Sequence, residues 1–204
     1  MVVGPTAKES DSLGGGIEVI FHSVTEILES KRLSLEKIRQ DIQGLTILQA
    51  TFHPVQGGWS IAEIAEHLCL VEGQMLKLIP LLLKKTEDAG KSVQRNSPLE
   101  VSLQSQEEKS LTEKYVTRDA TVPTSKKLIT ESLQILQGYQ NQVQSLQPRL
   151  ESIDLAFAEY AHWIFGLLNL GQWLAFIGLH EERHCRQIES ILNSPEFPQS
   201  SPKR

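Results

Sequence analysis

A chain of 204 residues and 22.9 kDa fits a single domain and is long enough to bury a sizeable core. Its 40% apolar and 22% charged residues are those of a soluble globular protein, and a net charge of −5 argues against a nucleic-acid backbone as the main partner. Two cysteines, Cys69 and Cys185, exclude a disulfide scaffold.

Taken in order, residues 1–16 are small and polar, carry no apolar signal segment, and are expected to form a disordered leader. From Ile17 to about Leu45, Val24, Ile27, Leu28, Leu35, Ile38, Ile42 and Leu45 recur on one face of a 3.6-residue period, with Glu29, Lys31, Arg32, Glu36, Lys37 and Arg39 largely elsewhere, which predicts the first helix. His53-Pro54 and Gly57-Gly58 then break the chain. A second helix starts at a capping box, Ser60 with Glu63, flanked by Trp59 and Ile64 as a hydrophobic staple. It runs to about Lys85 with Ile61, Ile64, Leu68, Val71, Met75, Leu78 and Leu82 inward, and His67 on the flank of that stripe.

Thr86–Ser125 is a polar crossover with room for a short helix at Ser105–Tyr115, and serves as a lid, a pocket wall or a disordered linker. Ser125 or a near neighbour caps a third helix faced by Leu128, Leu136, Tyr139, Val143 and Leu146, ending before Pro148. An aromatic segment follows, with Phe157, Tyr160, His162, Trp163 and Phe165 expected over one end of the bundle. Asn169 with Gln172 caps the last helix, Asn193 and Pro195 stop it, and residues 194–204 read as a flexible tail. Trp163–Leu179 has no formal charge over 17 residues, the lower limit for a membrane span. Asn169, Gln172 and three glycines inside it favour a buried core segment of a cytoplasmic protein instead. With no convincing strand pattern, residues 17–193 are predicted to be all-α: a four-helix bundle with a long connection between helices 2 and 3.

The last helix carries the chemistry. Trp173, Ile177, His180, His184, Ile188 and Ile191 share one stripe, so two histidines stand where leucines are expected, one turn apart. An unpaired buried imidazole costs energy, so the pair needs a partner. An H-x3-H pair on a helix can hold one metal ion, and His67 is the other histidine centred in a helix with an inward face. Three histidines with an open position suit zinc, nickel or iron. The same spacing also arises in histidines bonded to buried carboxylates or carbonyls, which leaves both readings open at this level. His22, His53 and His162 read as structural or surface residues, and Cys69 and Cys185, rotated away from the ligands, as small packing residues. Glu63, Glu66 and Glu72 are candidates for supporting or acid–base roles, with a cap or a solvated face the favoured reading for each.

Gly57–Glu72 carries W-S-x-x-E-x-x-x-H-L and Leu170–Ile188 carries an H-x3-H helix ending in R-Q-I. His162–Leu170 is similar to an H-P-x-F-G-x-L-N entry segment, with Trp163 in place of proline. In these features the chain resembles the DinB/YfiT-like superfamily of four-helix-bundle metalloenzymes. The resemblance spans about Ile17–Leu192 and implies a metal held by His67, His180 and His184, often in a homodimer. It further implies a small-molecule substrate, for instance a low-molecular-weight thiol, and activity as a thiol S-transferase or hydrolase. The alternative is a stress-associated binding or interaction module in which a metal is structural or absent.

Overall fold

The computed structural model describes residues 6–9, 17–55, 57–93, 99–104 and 119–199. Four long helices dominate: α1 (Val24–Ile42), α3 (Ile61–Asp88), α4 (Ile129–Ser145) and α6 (Leu170–Leu192). Two one-turn helices join them, α2 (Ile47–Ala50) and α5 (Gln147–Leu150). Each long helix packs against two others in the cyclic order α1, α6, α3, α4. The expected four-helix bundle is what forms.

Strands are the first departure from expectation. Ile17–Phe21, predicted as the start of helix 1, is a strand, β2, lying between β1 (Thr6–Glu9) and β3 (Val101–Gln104) in an antiparallel sheet. Val19 pairs with Ala7 on one side and Leu103 on the other. Ile17, Val19 and Ile20 are β-branched and suit a strand, and pairing with β1 and β3 is what makes them one. Helix 1 then begins where a side chain can cap it, with Ser23 Oγ accepting from Glu26 N–H at 3.0 Å.

The second helix begins at the expected capping box, Ser60 N–H donating to Glu63 Oε2 at 2.8 Å and Glu63 N–H to Ser60 Oγ at 3.3 Å. The crossover after it is partly built into the fold. Val101 and Leu103 are buried, and residues 119–125 lie on α3. The short helix expected at Ser105–Tyr115 falls outside the described residues. Ser125 is not the cap of the next helix. It takes a left-handed φ of 60° and donates through Oγ to Glu63 Oε1 at 2.5 Å. The N-cap of α4 is Leu128, three residues further on, where the Glu131 carboxylate accepts the Leu128 N–H at 3.1 Å.

The aromatic segment is a hairpin, β4 (Glu159–His162) paired with β5 (Gly166–Asn169), and Gly166 at its turn has φ 74°. The uncharged Trp163–Leu179 run is therefore the end of this hairpin plus the first turns of α6. Among the described residues no helix is long and apolar enough to cross a membrane. Asn169 and Gln172 cap α6 reciprocally, as expected. In the segment read as a tail, Phe197 is buried and packs edge-on against Phe52 at 5.7 Å.

The apolar core comes in two halves. One gathers Val24, Ile27 and Leu28 of α1 with Met75, Ile79 and Leu82 of α3 and Trp173, Leu174 and Ile177 of α6. The other gathers Leu35, Ile38 and Ile42 with Ile61, Ile64 and Leu68, and with Cys185, Ile188 and Ile191. Between them, at the same level on three helices, lie buried polar groups: Lys31 and Ser34 of α1, His67 and Glu72 of α3, Glu181 and His184 of α6. That interruption is where the chemistry sits.

Candidate metal centre

His67 comes from α3, and His180 and His184 from adjacent turns of α6. The α3–α6 contact brings the three rings together. His67 Nε2 lies 3.3 Å from His180 Nε2, and His184 Nε2 lies 3.2 Å from the same atom. The three ring nitrogens all fall within 4.8 Å of one another, a grouping that could hold a metal ion. His67 and His184 are buried, while His180 is half-buried and forms the accessible side.

Hydrogen bonds fix which ring nitrogen carries the proton. His67 Nδ1 lies 2.8 Å from the Thr121 carbonyl, which can only accept, so Nδ1 is the N–H. His184 Nδ1 lies 2.9 Å from Gln187 Oε1 and donates in the same way. In the neutral rings both Nε2 atoms are then bare lone pairs facing His180. Neutrality is enforced by the surroundings. Burial pulls the pKa of His67 below its ordinary value, that of His180 well below, and that of His184 down to about 3. The Arg183 guanidinium adds to the depression in all three. A cluster of neutral imidazoles with converging lone pairs is the protonation state a cation requires of its ligands.

Aromatic rings hold the histidines in place. Trp59, which precedes the α3 cap, packs on His67 at 4.7 Å, and Phe176 stacks on His180 at 5.6 Å and 29°. The 121–125 segment is tied to α3 at three points: Thr121 to His67, Thr124 Oγ1 to Glu66 Oε1 at 2.6 Å, and Ser125 to Glu63. The end of the long crossover is thus a wall of the site.

The remaining residues singled out in the sequence fall as follows. His22 and His53 are exposed. His162 is buried, its Nδ1 accepting from the N–H groups of Ile164 and Phe165 at 3.2 and 3.3 Å, which makes it a structural residue of the hairpin. Cys69 and Cys185 are buried and free, and burial pushes their thiols up to about 11 and about 12. Glu63 is the cap it was expected to be. Glu66 and Glu72, expected on a solvated face, are buried instead.

Glu72 belongs to a second cluster. Lys31 Nζ lies 3.0 Å from Glu72 Oε2 and 3.1 Å from Glu181 Oε1, all three side chains at most 2% exposed. Burial pulls the Lys31 pKa down, but Glu72 and Glu181 beside it outweigh this and hold it above its ordinary value. Burial and the hydrogen-bonded Glu72 carboxyl push Glu181 well above the usual carboxylate range. Among the described residues, Glu72 Oε1 and Oε2 and Glu181 Oε2 are buried without a hydrogen-bond donor, so the Lys31 ammonium is the compensating charge of this cluster. Lys31 and Glu181 were legible in principle. Lys31 stands four residues after Ile27 and four before Leu35, and Glu181 four after Ile177, so both interrupt apolar stripes. Thr121 was not, because a backbone carbonyl has no sequence signature.

The fold and this arrangement define a four-helix-bundle protein with a three-histidine cluster between two of its long helices. The model of the DinB superfamily matches residues 33–188, and the chain belongs to that superfamily. Among solved structures it is similar to YfiT from Bacillus subtilis, described as a probable metal-dependent hydrolase with an unusual four-helix bundle topology. That similarity has a TM-score of 0.56 at 16% identity and covers 90% of each chain. No curated protein matches the sequence.

Proposed function

We propose that the protein is a metal-dependent enzyme in which His67, His180 and His184 hold a divalent ion of the zinc, nickel or iron type. The observation that carries this reading is the convergence of three neutral ring nitrogens, two of them with their Nδ1–H groups bonded outward to Thr121 and Gln187. The donor set fits such an ion once His180, whose Nε2 faces the other two, presents its own lone pair there. A bound ion would supply Lewis acidity at its open position, lowering the pKa of a water or a substrate thiol held there.

The chain's own residues do the rest. Thr121 and Gln187 orient the ligand rings, Trp59 and Phe176 cover ring faces against water, and the half-buried edge of His180 marks the approach for a small molecule. The reaction class is hydrolysis or transfer of a small thiol to an electrophile. The description of YfiT as a probable metal-dependent hydrolase supports the first. The accessible side at His180 favours either over a purely structural metal, which would be enclosed.

The test is turnover. Metal-loaded protein should hydrolyse or conjugate some member of a panel of esters, amides and electrophiles supplied with low-molecular-weight thiols. Activity should vanish with chelator and in His180→Ala. Metal-loaded protein that is inert across such a panel would turn the site into a structural brace and leave a binding module.

A further inference from the structure

We propose that Lys31 is a positioning residue for the three-histidine site, riveting together the two helices that carry its ligands; this rests on reading that site as a metal centre. Glu72 stands five residues after His67 on α3, and Glu181 lies between His180 and His184 on α6. Lys31, reaching in from α1, bridges one carboxyl from each helix at 3.0 and 3.1 Å. A single ammonium therefore fixes α3 and α6 relative to each other about one turn from the ligands.

Apolar packing alone does not set a register this tightly. Leucine and isoleucine faces tolerate small slides of one helix along another, whereas a metal site needs its ligand atoms within about 0.2 Å. The His67–His180 contact spans the α3–α6 interface and is the first distance such a slide would change. The third helix is held just as closely. A Cβ at Gly178 would lie 3.3 Å from the Lys31 backbone, so α1 and α6 touch at this level because the residue there is glycine. Ser34 Oγ bonds the Gly178 carbonyl at 3.4 Å across the same contact. Buried ion pairs rarely add net stability over well-packed apolar residues of the same volume; their best-attested use is to specify one register. Three ionisable groups at the break between two apolar core halves fit that use.

The experiment is a cobalt(II) titration read by visible absorption, whose bands report ligand geometry, on wild type, Lys31→Met, Glu72→Gln and Leu136→Ala. Leu136 is a fully buried α4 residue outside the rivet and controls for general destabilisation. Circular dichroism and thermal melting of each metal-free protein establish folding. Lys31→Met leaves two buried carboxyls facing each other; should it fail to fold, Glu72→Gln, which keeps one cation against one carboxylate, decides. The expected result is a loss of cobalt affinity of about tenfold or more with shifted bands in the folded rivet variants. Leu136→Ala should keep the wild-type spectrum and affinity. Folded Glu72→Gln with wild-type affinity and spectrum would overturn the proposal, as would an equal loss in Leu136→Ala. Failure of the wild type to bind cobalt would instead take down the metal reading and the inference with it.

Discussion

Acidifying the metal-free protein should destabilise it well before its surface carboxylates titrate. Burial holds His184 at about 3 in the native state, against 6.5 for an ordinary histidine. Between those values the unfolded chain binds a proton that the native chain refuses, so stability is fully present above 6.5 and is lost as pH falls. Integrated from pH 8 to pH 5, one such group costs ~2 kcal/mol, a sizeable part of a typical domain's stability. His67 and His180 are shifted in the same direction and add to the loss. Glu181 opposes it, since its carboxyl is held above the usual range and its penalty at neutral pH fades on acidification. The lowered surface carboxylates, such as Glu36 at about 2, act below the ordinary 4.5 and stay out of this window. Urea denaturation of chelator-treated wild type and His184→Asn at pH 8 and pH 5 isolates the effect, because Glu181 is common to both. Wild type should lose about 2 kcal/mol more than His184→Asn across that interval. Parallel losses would mean that His184 is not buried as a neutral imidazole, and the account of the site's protonation would fall.

Other outcomes follow from the same contacts. Zinc or nickel at a hundredfold excess over its Kd should stabilise wild type by about 2.7 kcal/mol in thermal melts and leave His67→Ala unmoved. Ser60→Ala removes the cap that accepts the Glu63 N–H, and should cost ~1 kcal/mol by urea denaturation while α3 stays helical. Gly171→Ala would place a Cβ 2.7 Å from the stiff Val101 side chain of β3. Overpacking of ~1–3 kcal/mol should outweigh the ~1 kcal/mol gain in helix propensity, so urea curves should show net destabilisation. Cys69 and Cys185, with thiols near 11 and 12, should resist an aromatic disulfide reagent at pH 8 until denaturant is added.

What was legible in the sequence was local or periodic. Capping boxes are three-residue devices, and those at Ser60 and Asn169 form as spelled. The His180–His184 spacing could be read because a helix maps spacing onto a face, and His67 followed from the inward side of α3. Strand β2 escaped because its partner β3 lies far along the chain in a stretch that reads as a polar crossover. The cap expected at Ser125 or a near neighbour falls at Leu128, a residue with no capping side chain, while the Ser125 hydroxyl serves Glu63 from a left-handed turn. Residue type favours a cap or a solvated face for Glu66 and Glu72, whereas a carboxylate's burial depends on partners from other elements: Thr124 for one, Lys31 for the other.

The central claim is that three histidines hold a metal ion. Metal content by mass spectrometry on untagged protein purified without chelator, wild type beside His67→Ala, tests it directly. Near-stoichiometric zinc, nickel or iron in the wild type and none in the variant is the result the site geometry predicts. A wild type that carries no metal, even after incubation with each of the three ions, would contradict it.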